Sequence, residues 1–435
     1  MSRSKAEELM GCMHFSRYAR AIVFFTALLL AVNASAATRK HHGRRTVSTA
    51  RSRTHKSTRR ARRIHHTAAL HAAAPGVAAK LTRTKTTTRG VIHARVRSTR
   101  SRKSFSPWSE PTFAESTVGD LTAGEDPVVR KAAVDALGPY NGTVVVEDPQ
   151  TGRILSIVNQ KLALTGAFEP CSTIKVVVSL ASLTEGIVDP EKAVHISRRN
   201  SMNLTNALAK SNNAYFAKLG EELGFERIQH YAQLFGLGEK AGWNVAGEEP
   251  GTVVDKTPSD GLGMMTSFGS GIRVTPLELA SIVSTVSNGG TMYYLQYPRS
   301  AQAVQQFQPK VKRQLPIEEF IPSLKAGMRG AVEYGTARRA KFDPDEPVFG
   351  KTGTCTDTAK PGVHLGWFGS FNDVSRNKVA VVVLLTGGRG VSGPVASGIA
   401  GQVYRNLEAQ NFFAPDVNTT ASTPLSLLSL PTAYH

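Results

Sequence analysis

The apolar runs able to form strands sit at the two ends of the folded part of this chain, and helix-patterned sequence fills the space between them. Near the front, "GTVVVEDPQTGRILSIVN" (142–159) reads as two strands joined by a turn at Asp148 to Gly152. Asp-Pro and Thr-Gly supply the turn chemistry. Toward the end, "PVFGKTGTC" (347–355), "HLGWFGSFN" (364–372) and "KVAVVVLLTG" (378–387) read as three more strands. An amphipathic helix, "DPVVRKAAVDALGPY", precedes the first strand and ends near Gly138. A second apolar helical pattern follows Ser172 to about Leu183, and a final helix runs from about Pro394 to Gln410. Residues 195–330 are mostly helical in pattern, with Gly and Pro breaks, and no internal repeat is visible. The expectation is an α+β fold: one five-stranded, mainly antiparallel sheet assembled from both ends of the domain, flanked by helices, with an all-helical insertion. A cleft between sheet and insertion would draw its residues from distant parts of the chain.

Charge divides the chain more sharply still. The formal net charge is +20, yet 20 Lys and Arg and no Asp or Glu lie between Ala37 and Phe105. The balance is +2 before that stretch and −2 after it, so the folded part is close to neutral. Residues 37–107 are rich in Thr, Arg, Lys, Ser, His and Ala and poor in large apolar side chains. Such a segment buries too little surface to offset its ordering entropy and reads as a disordered basic tail. Contact with an anionic membrane or wall surface suits it. Nucleic acid would also suit the charge, but the export signal argues against it, and the tail has no aromatic side chain for stacking before Phe105.

Ahead of the tail, Arg17 and Arg20 flank the start of "AIVFFTALLLAV" (Ala21–Val32), and "ASAA" offers a cleavage site after Ala36. The expectation is export to the periplasm or cell envelope, with a cleaved signal peptide in 1–36 preferred to an N-terminal anchor. Disulfides persist there. Of three cysteines, Cys12 would leave with the signal, and the two that remain, Cys171 and Cys355, invite pairing. The rest divides into a linker and lead-in helix (108–134), a folded domain (135–412) and a loose tail rich in Ser, Thr, Pro and Leu (413–435).

Three short motifs carry candidate chemistry. In "EPCSTIKVVV", Ser172 and Lys175 share a helix face at i and i+3, which puts a hydroxyl within reach of an amine. Serine becomes a nucleophile when a base takes its proton, and lysine is a base once burial makes it neutral. In "KSNNAYF", Ser211 offers a proton relay and Asn213 an amide for a substrate amide. In "GKTGTC", Lys351, Thr352 and Thr354 suit a carboxylate, and Gly353 suits a close backbone approach. Each motif alone is common in helix starts, capped turns or edge strands.

Together and in this order they resemble the Ser-x-x-Lys, Ser-x-Asn and Lys-Thr-Gly set of the penicillin-binding proteins and serine β-lactamases. "VVVEDPQTGRILSIVN", "FEPCSTIKV", "FGLGEKAGWNVAGEEPG", "SFGSGIRVTPLELASIVSTVSNGGTM", "LKAGMRGAVEYGTAR" and "HLGWFGSF" extend the likeness to the penicillin-binding transpeptidase domain over about 135–410.

The resemblance implies a β-lactamase/transpeptidase-like fold and a serine D,D-transpeptidase or D,D-carboxypeptidase acting on the D-Ala-D-Ala stem peptides of peptidoglycan. Ser172 would form the acyl-enzyme, Lys175 would deprotonate it, and Ser211 would pass the proton to the leaving amine. Asn213 would orient the acyl-side amide. Lys351, Thr352 and the Thr354 hydroxyl would bind the terminal carboxylate. The backbone N–H groups of Ser172 and Thr354 would form the oxyanion hole. β-Lactams would acylate Ser172 as inhibitors, and neither cofactor nor metal is expected. Two other readings are a serine β-lactamase and a non-catalytic β-lactam sensor or wall-binding protein. Against the first, Glu248 and Glu249 fall inside a family loop and read as structural. Asp357 and His364 read as strand-end or turn residues. The pedestal domain of the larger family members is expected to be absent. Cys171 replaces the family's usual Gly, and a similar cysteine pair bridges the cleft of some carbapenem-hydrolysing relatives. A Cys171–Cys355 disulfide, closing more than 180 residues, is therefore expected here.

Overall fold

The structure, a computed structural model, describes residues 109–414 apart from 342, 374 and 376. The segments read as an export signal (1–36) and a basic tail (37–107), and the C-terminal residues from 415, lie outside the described residues. Among the described residues no helix is long and apolar enough to cross a membrane.

Five antiparallel strands form the central sheet: β1 (Gly142–Asp148), β2 (Arg153–Val158), β9 (Val348–Thr356), β10 (His364–Asn372) and β11 (Ala380–Gly387). Their order is β2-β1-β11-β10-β9, so the two ends of the domain meet where β1 pairs with β11. The β1–β2 turn forms because Asp148 accepts from the Gln150 N–H at 2.8 Å and the Thr151 hydroxyl at 2.7 Å.

The unbroken apolar runs have a physical reason: both faces of the sheet are buried. Val145, Ile157, Val382 and Leu384 face one core, and Val144, Val146, Val381 and Val383 face the other. The second core is closed by α1 (Pro127–Leu137), through Val129 and Ala133, and by the C-terminal helix Gly393–Glu408, through Ala396, Ala400 and Val403. Asp126 caps α1 by accepting from the Val128 and Val129 N–H groups, and Gly138 ends it at φ 55°.

Helix α1 thus runs through the boundary expected at 134/135. The linker segment before it is held against the sheet. Asp120 pairs with Arg130 at 2.8 Å and accepts from the Asn159 and Gln160 N–H groups, and Glu125 accepts from the Ser156 hydroxyl and the Ile157 N–H.

The first core holds the insertion. Its helices are α2 (Gln160–Thr165), α3 (Lys175–Thr184), α4 (Leu204–Ala209), α5 (Asn213–Leu223), α6 (Phe225–Leu234), α7 (Leu262–Phe268), α8 (Pro276–Ser287), α9 (Ala301–Gln305) and α10 (Ile321–Glu333), and the C-terminal helix is α11. Helix α8 starts with a capping box between Thr275 and Glu278 and lies on the sheet. Gly369 of β10 makes room for it, since a Cβ there would come within 3.0 Å of Val283.

The insertion is not built of helices alone. Three two-stranded ribbons join it: β3 (Val194–Ser197) with β4 (Asn200–Met202), β5 (Thr252–Val253) with β6 (Ile272–Arg273), and β7 (Thr291–Tyr293) with β8 (Val311–Gln314). Strands of two to four residues are too short to show a period, and two of the ribbons pair segments far apart in sequence.

Candidate active site

Three parts of the chain converge at the junction of sheet and insertion. The first is a 3₁₀ turn, Cys171–Ile174, that runs directly into α3. It places Ser172 and Lys175 on one face, and the Lys175 ammonium nitrogen, Nζ, lies 2.8 Å from Ser172 Oγ. The second is the turn between α4 and α5. Asn212 caps α5 by accepting from the Tyr215 N–H at 2.9 Å, which sets Ser211 and Asn213 at the mouth of the helix. The third is β9, an edge strand, which delivers Lys351.

Ser211 Oγ joins the three. Lys175 Nζ lies 3.2 Å from it and Lys351 Nζ 2.9 Å. Lys175 also donates to Asn213 Oδ1 at 2.6 Å and to the Ser211 carbonyl at 3.2 Å. Ser172 Oγ donates to the Ser267 carbonyl at 3.3 Å, so α7 forms the fourth wall. Ser172, Lys175, Ser211 and Lys351 therefore form one hydrogen-bonded chain with Asn213 at its edge.

The electrostatics follow from burial. Lys175 is fully buried beside the rings of Phe216 and Phe268, 5.5 and 5.9 Å from their centroids, and loss of solvation brings its ammonium down to about 7. Lys351 is held well below the usual lysine range, first by burial and then by repulsion from Lys175. Among the described residues no carboxylate pairs with either lysine. Two positive charges sharing one serine hydroxyl repel, so the pair favours holding a single proton and presents a neutral amine near pH 7.

The strand wall has its own logic. A Cβ on Gly353 would come within 2.9 Å of the Pro170 carbonyl and 3.2 Å of Cys171 Cβ, so glycine lets β9 close on the turn that holds Ser172. Cys171 and Cys355 are joined by a disulfide with their Cα atoms 5.6 Å apart, as the resemblance implies. Cys171 lies at φ 51°, the left-handed region in which glycine is least strained, and Ser211 lies at φ 55°. One strained non-glycine residue thus borders the cluster and another lies within it, a pattern common where surrounding contacts fix an active geometry.

The threonine hydroxyls are already engaged. Thr352 Oγ1 lies 2.6 Å from Thr336 Oγ1, and Thr354 Oγ1 accepts from the Gly393 N–H at 2.7 Å. Thr354 keeps its own proton to donate to an incoming anion, and Thr352 does so when Thr336 is the donor of their shared bond.

The side chains of Glu248 and Asp357 are engaged in structural contacts, and among the described residues that of Glu249 is not. Glu248 is buried and accepts from the Ala241 and Gly242 N–H groups at 2.8 and 3.0 Å, while Glu249 is exposed. Asp357 is buried and pairs with Arg273 at 3.0 Å. His364 opens β10 opposite Thr356. Among the described residues no group of three or more His, Cys, Asp or Glu side chains is placed to hold a metal.

Sequence reasoning missed Phe216, Phe268, the Ser267 carbonyl and Thr336. Thr336 had one signal, the "YGTA" turn after α10, but nothing local ties it to Thr352, sixteen positions on.

A family model, the penicillin binding protein transpeptidase domain, matches residues 142–407. The chain belongs to the penicillin-binding transpeptidase family. Stage V sporulation protein D of Bacillus subtilis (strain 168) is 29% identical over 286 residues, which cover 58% of this chain and 44% of that protein. The peptidoglycan D,D-transpeptidase FtsI of Escherichia coli (strain K12) is 24% identical over 330 residues, 64% of this chain and 53% of that protein. The chain thus spans about half the length of these curated relatives. A chain from a solved structure titled "Structural coordination of polymerization and crosslinking by a peptidoglycan synthase complex" superposes with a TM-score of 0.55 at 23% identity, covering 65% of this chain and 61% of that one. At that identity it establishes the fold, and the five-stranded sheet with flanking helices is the transpeptidase fold.

Proposed function

We propose that this chain is a serine D,D-transpeptidase or D,D-carboxypeptidase that cuts D-Ala-D-Ala stem peptides of peptidoglycan through an acyl-enzyme on Ser172, and that β-lactams acylate the same serine. The observation that carries this reading is the 2.8 Å contact between a buried, readily deprotonated Lys175 and Ser172 Oγ. Neutral Lys175 removes the Ser172 proton as Oγ attacks the carbonyl carbon of the scissile amide. The proton passes through Ser211 to the leaving amine, because Ser211 Oγ contacts both lysines. The terminal carboxylate settles beside Lys351, and its negative charge favours the protonated form of that lysine. Since the pair favours a single proton, substrate binding keeps Lys175 neutral at the moment it is needed as a base. Thr352 and Thr354 complete the carboxylate site. The Ser172 and Thr354 N–H groups receive the oxyanion. An amine or water then releases the acyl group.

Glu248 is committed to backbone N–H groups, which weighs against its use as the deacylating carboxylate of a β-lactamase. Export to the periplasm or cell envelope, with residues 1–36 as signal and 37–107 on an anionic surface, completes the proposal.

Incubation with a fluorescent penicillin tests it. Stable labelling that is lost in Ser172→Ala supports the reading. Rapid turnover of the label makes the protein a β-lactamase, and absence of labelling rejects an acyl-enzyme at Ser172.

A further inference from the structure

The disulfide is not the only tie between the segment leading into Ser172 and the end of β9. Glu169 lies three residues before the nucleophile and is buried. One oxygen of its carboxylate accepts from the Thr358 hydroxyl at 2.9 Å and from the Thr358 N–H at 3.3 Å, on the turn that follows β9. Its carbonyl accepts from the indole N–H of Trp367 on β10 at 2.9 Å. Arg273 makes a second polar tie. It donates to the Ala167 carbonyl through Nε at 3.1 Å and pairs with buried Asp357 at 3.0 Å. Ala167, Glu169 and Cys171 are thus held in turn to Asp357, Thr358 and Cys355.

The ties bear on the site because of what lies next to them. Ser172 follows Cys171 and Thr354 precedes Cys355, so the distance between their N–H groups depends on how closely the two segments stand. Strand β9 is the last of its sheet, and no further strand of the described residues backs it. The leading segment is fixed on its other flank, where Phe168 and Val274 exchange backbone bonds of 3.0 and 2.7 Å. Opening the disulfide therefore leaves the spacing to Glu169 and Arg273. Burial pushes the Glu169 carboxyl up from its usual range, a cost that an apolar side chain in this place would not carry.

We infer that Glu169 and Arg273 are positioning residues for acylation, which hold the Ser172 and Thr354 N–H groups at one spacing whether the disulfide is closed or open. The inference rests on the proposed role of Ser172. The two side chains act through Thr358 and Asp357, in parallel with the covalent bond. Parallel ties leave a signature that a general contribution to stability does not. Removing the covalent or the polar tie alone changes little, and removing both loses the geometry, so the two effects do not add. Oxyanion donors work only at close hydrogen-bonding distance and matter most in the transition state. The loss therefore falls on the covalent step and not on the first binding of penicillin.

The test resolves fluorescent-penicillin labelling into the affinity of the first complex and the rate of the covalent step. It is run on protein with the disulfide closed and on protein reduced with dithiothreitol and freed of it under nitrogen. Reduced wild type and closed Glu169→Ala are each expected to keep the covalent step within about five-fold. Reduced Glu169→Ala is expected to lose about 10²-fold in that step with its affinity unchanged. Glu169→Gln keeps an acceptor oxygen for Thr358 and is expected to restore the rate. Arg273→Met is expected to act in the same sense with a smaller loss, because its tie lies two residues further from Ser172. Urea midpoints are measured for every form. Should reduced Glu169→Ala not fold, Thr358→Val on the exposed turn takes its place, with a loss of about ten-fold expected on reduction. A reduced variant no slower than the product of the two single effects overturns the inference. So does a loss confined to affinity, or a reduced wild type already as slow as the reduced variant. Labelling without the combined loss leaves the Ser172 reading intact, whereas wild-type protein that takes up no penicillin in either state removes that reading itself.

Discussion

Two regions of this molecule bury ionisable side chains against hydroxyls and carbonyls rather than opposite charges, and they meet opposite fates. At the cleft, Lys175 and Lys351 converge on Ser211, and Lys175 also donates to Asn213, which is exposed. Under α8, Glu147 of β1 is fully buried against Ser284, with its second oxygen unpaired. Desolvation brings Lys175 down to about 7 and pushes Glu147 up to about 8. On the proposed reading, the lysine's shift puts a neutral base next to the Ser172 nucleophile. The glutamate's shift touches no cleft and does no chemistry. A perturbed ionisable group therefore points to function only where the substrate can reach it.

The two regions also pull stability in opposite directions with pH. The folded chain holds the Glu147 proton that the unfolded chain has lost, so this group's contribution falls as pH rises from 4.5 to about 8. Lys175 has already lost in the folded state a proton that the unfolded chain keeps, so its contribution rises from about 7 to 10.5.

The largest expected effect comes from removing the functional half of the comparison. Lys175→Ala is expected to slow penicillin acylation by about 10²–10⁴-fold, read by timed labelling. Next comes the bond that holds the cleft walls together. Reducing Cys171–Cys355 is expected to lower stability by about 2–5 kcal/mol, visible as a drop in the urea midpoint with dithiothreitol. On the other side, Glu147→Gln is expected to stabilise the fold by a few kcal/mol at pH 8 and by little at pH 4.5. A variant that melts like the wild type at pH 8 would show that Glu147 is not desolvated. The smallest effect belongs to Thr336→Val, which leaves Thr352 without its neighbour. A loss of about 1 kcal/mol, roughly five-fold in penicillin acylation, is expected, with Thr336→Ser restoring it.

What sequence made legible was what local spacing encodes. Ser172 and Lys175 lie one helical turn apart, and the five strands appear as unbroken apolar runs because both sheet faces are covered. The cysteine pairing came from a resemblance to proteins with cysteines at the same two motif positions. What stayed hidden depends on contacts that only the fold creates. Phe268 and Phe216 wall Lys175 from separate helices, Thr336 meets Thr352 across a turn, and Glu147 sits in an apolar strand whose pattern gives no sign of a proton. The ribbons of the insertion are too short to carry a period, and α1 was read as ending at Gly138 while its integration into the sheet's second core was not.

The central claim is that neutral Lys175 is the base for Ser172. The direct measurement is the second-order rate constant of penicillin acylation across pH 5 to 9, in the wild type and in Lys175→Ala. A rate that climbs as pH passes through about 7, with the climb absent from the variant, is the predicted result. A flat wild-type profile, or the same climb in both proteins, would contradict it.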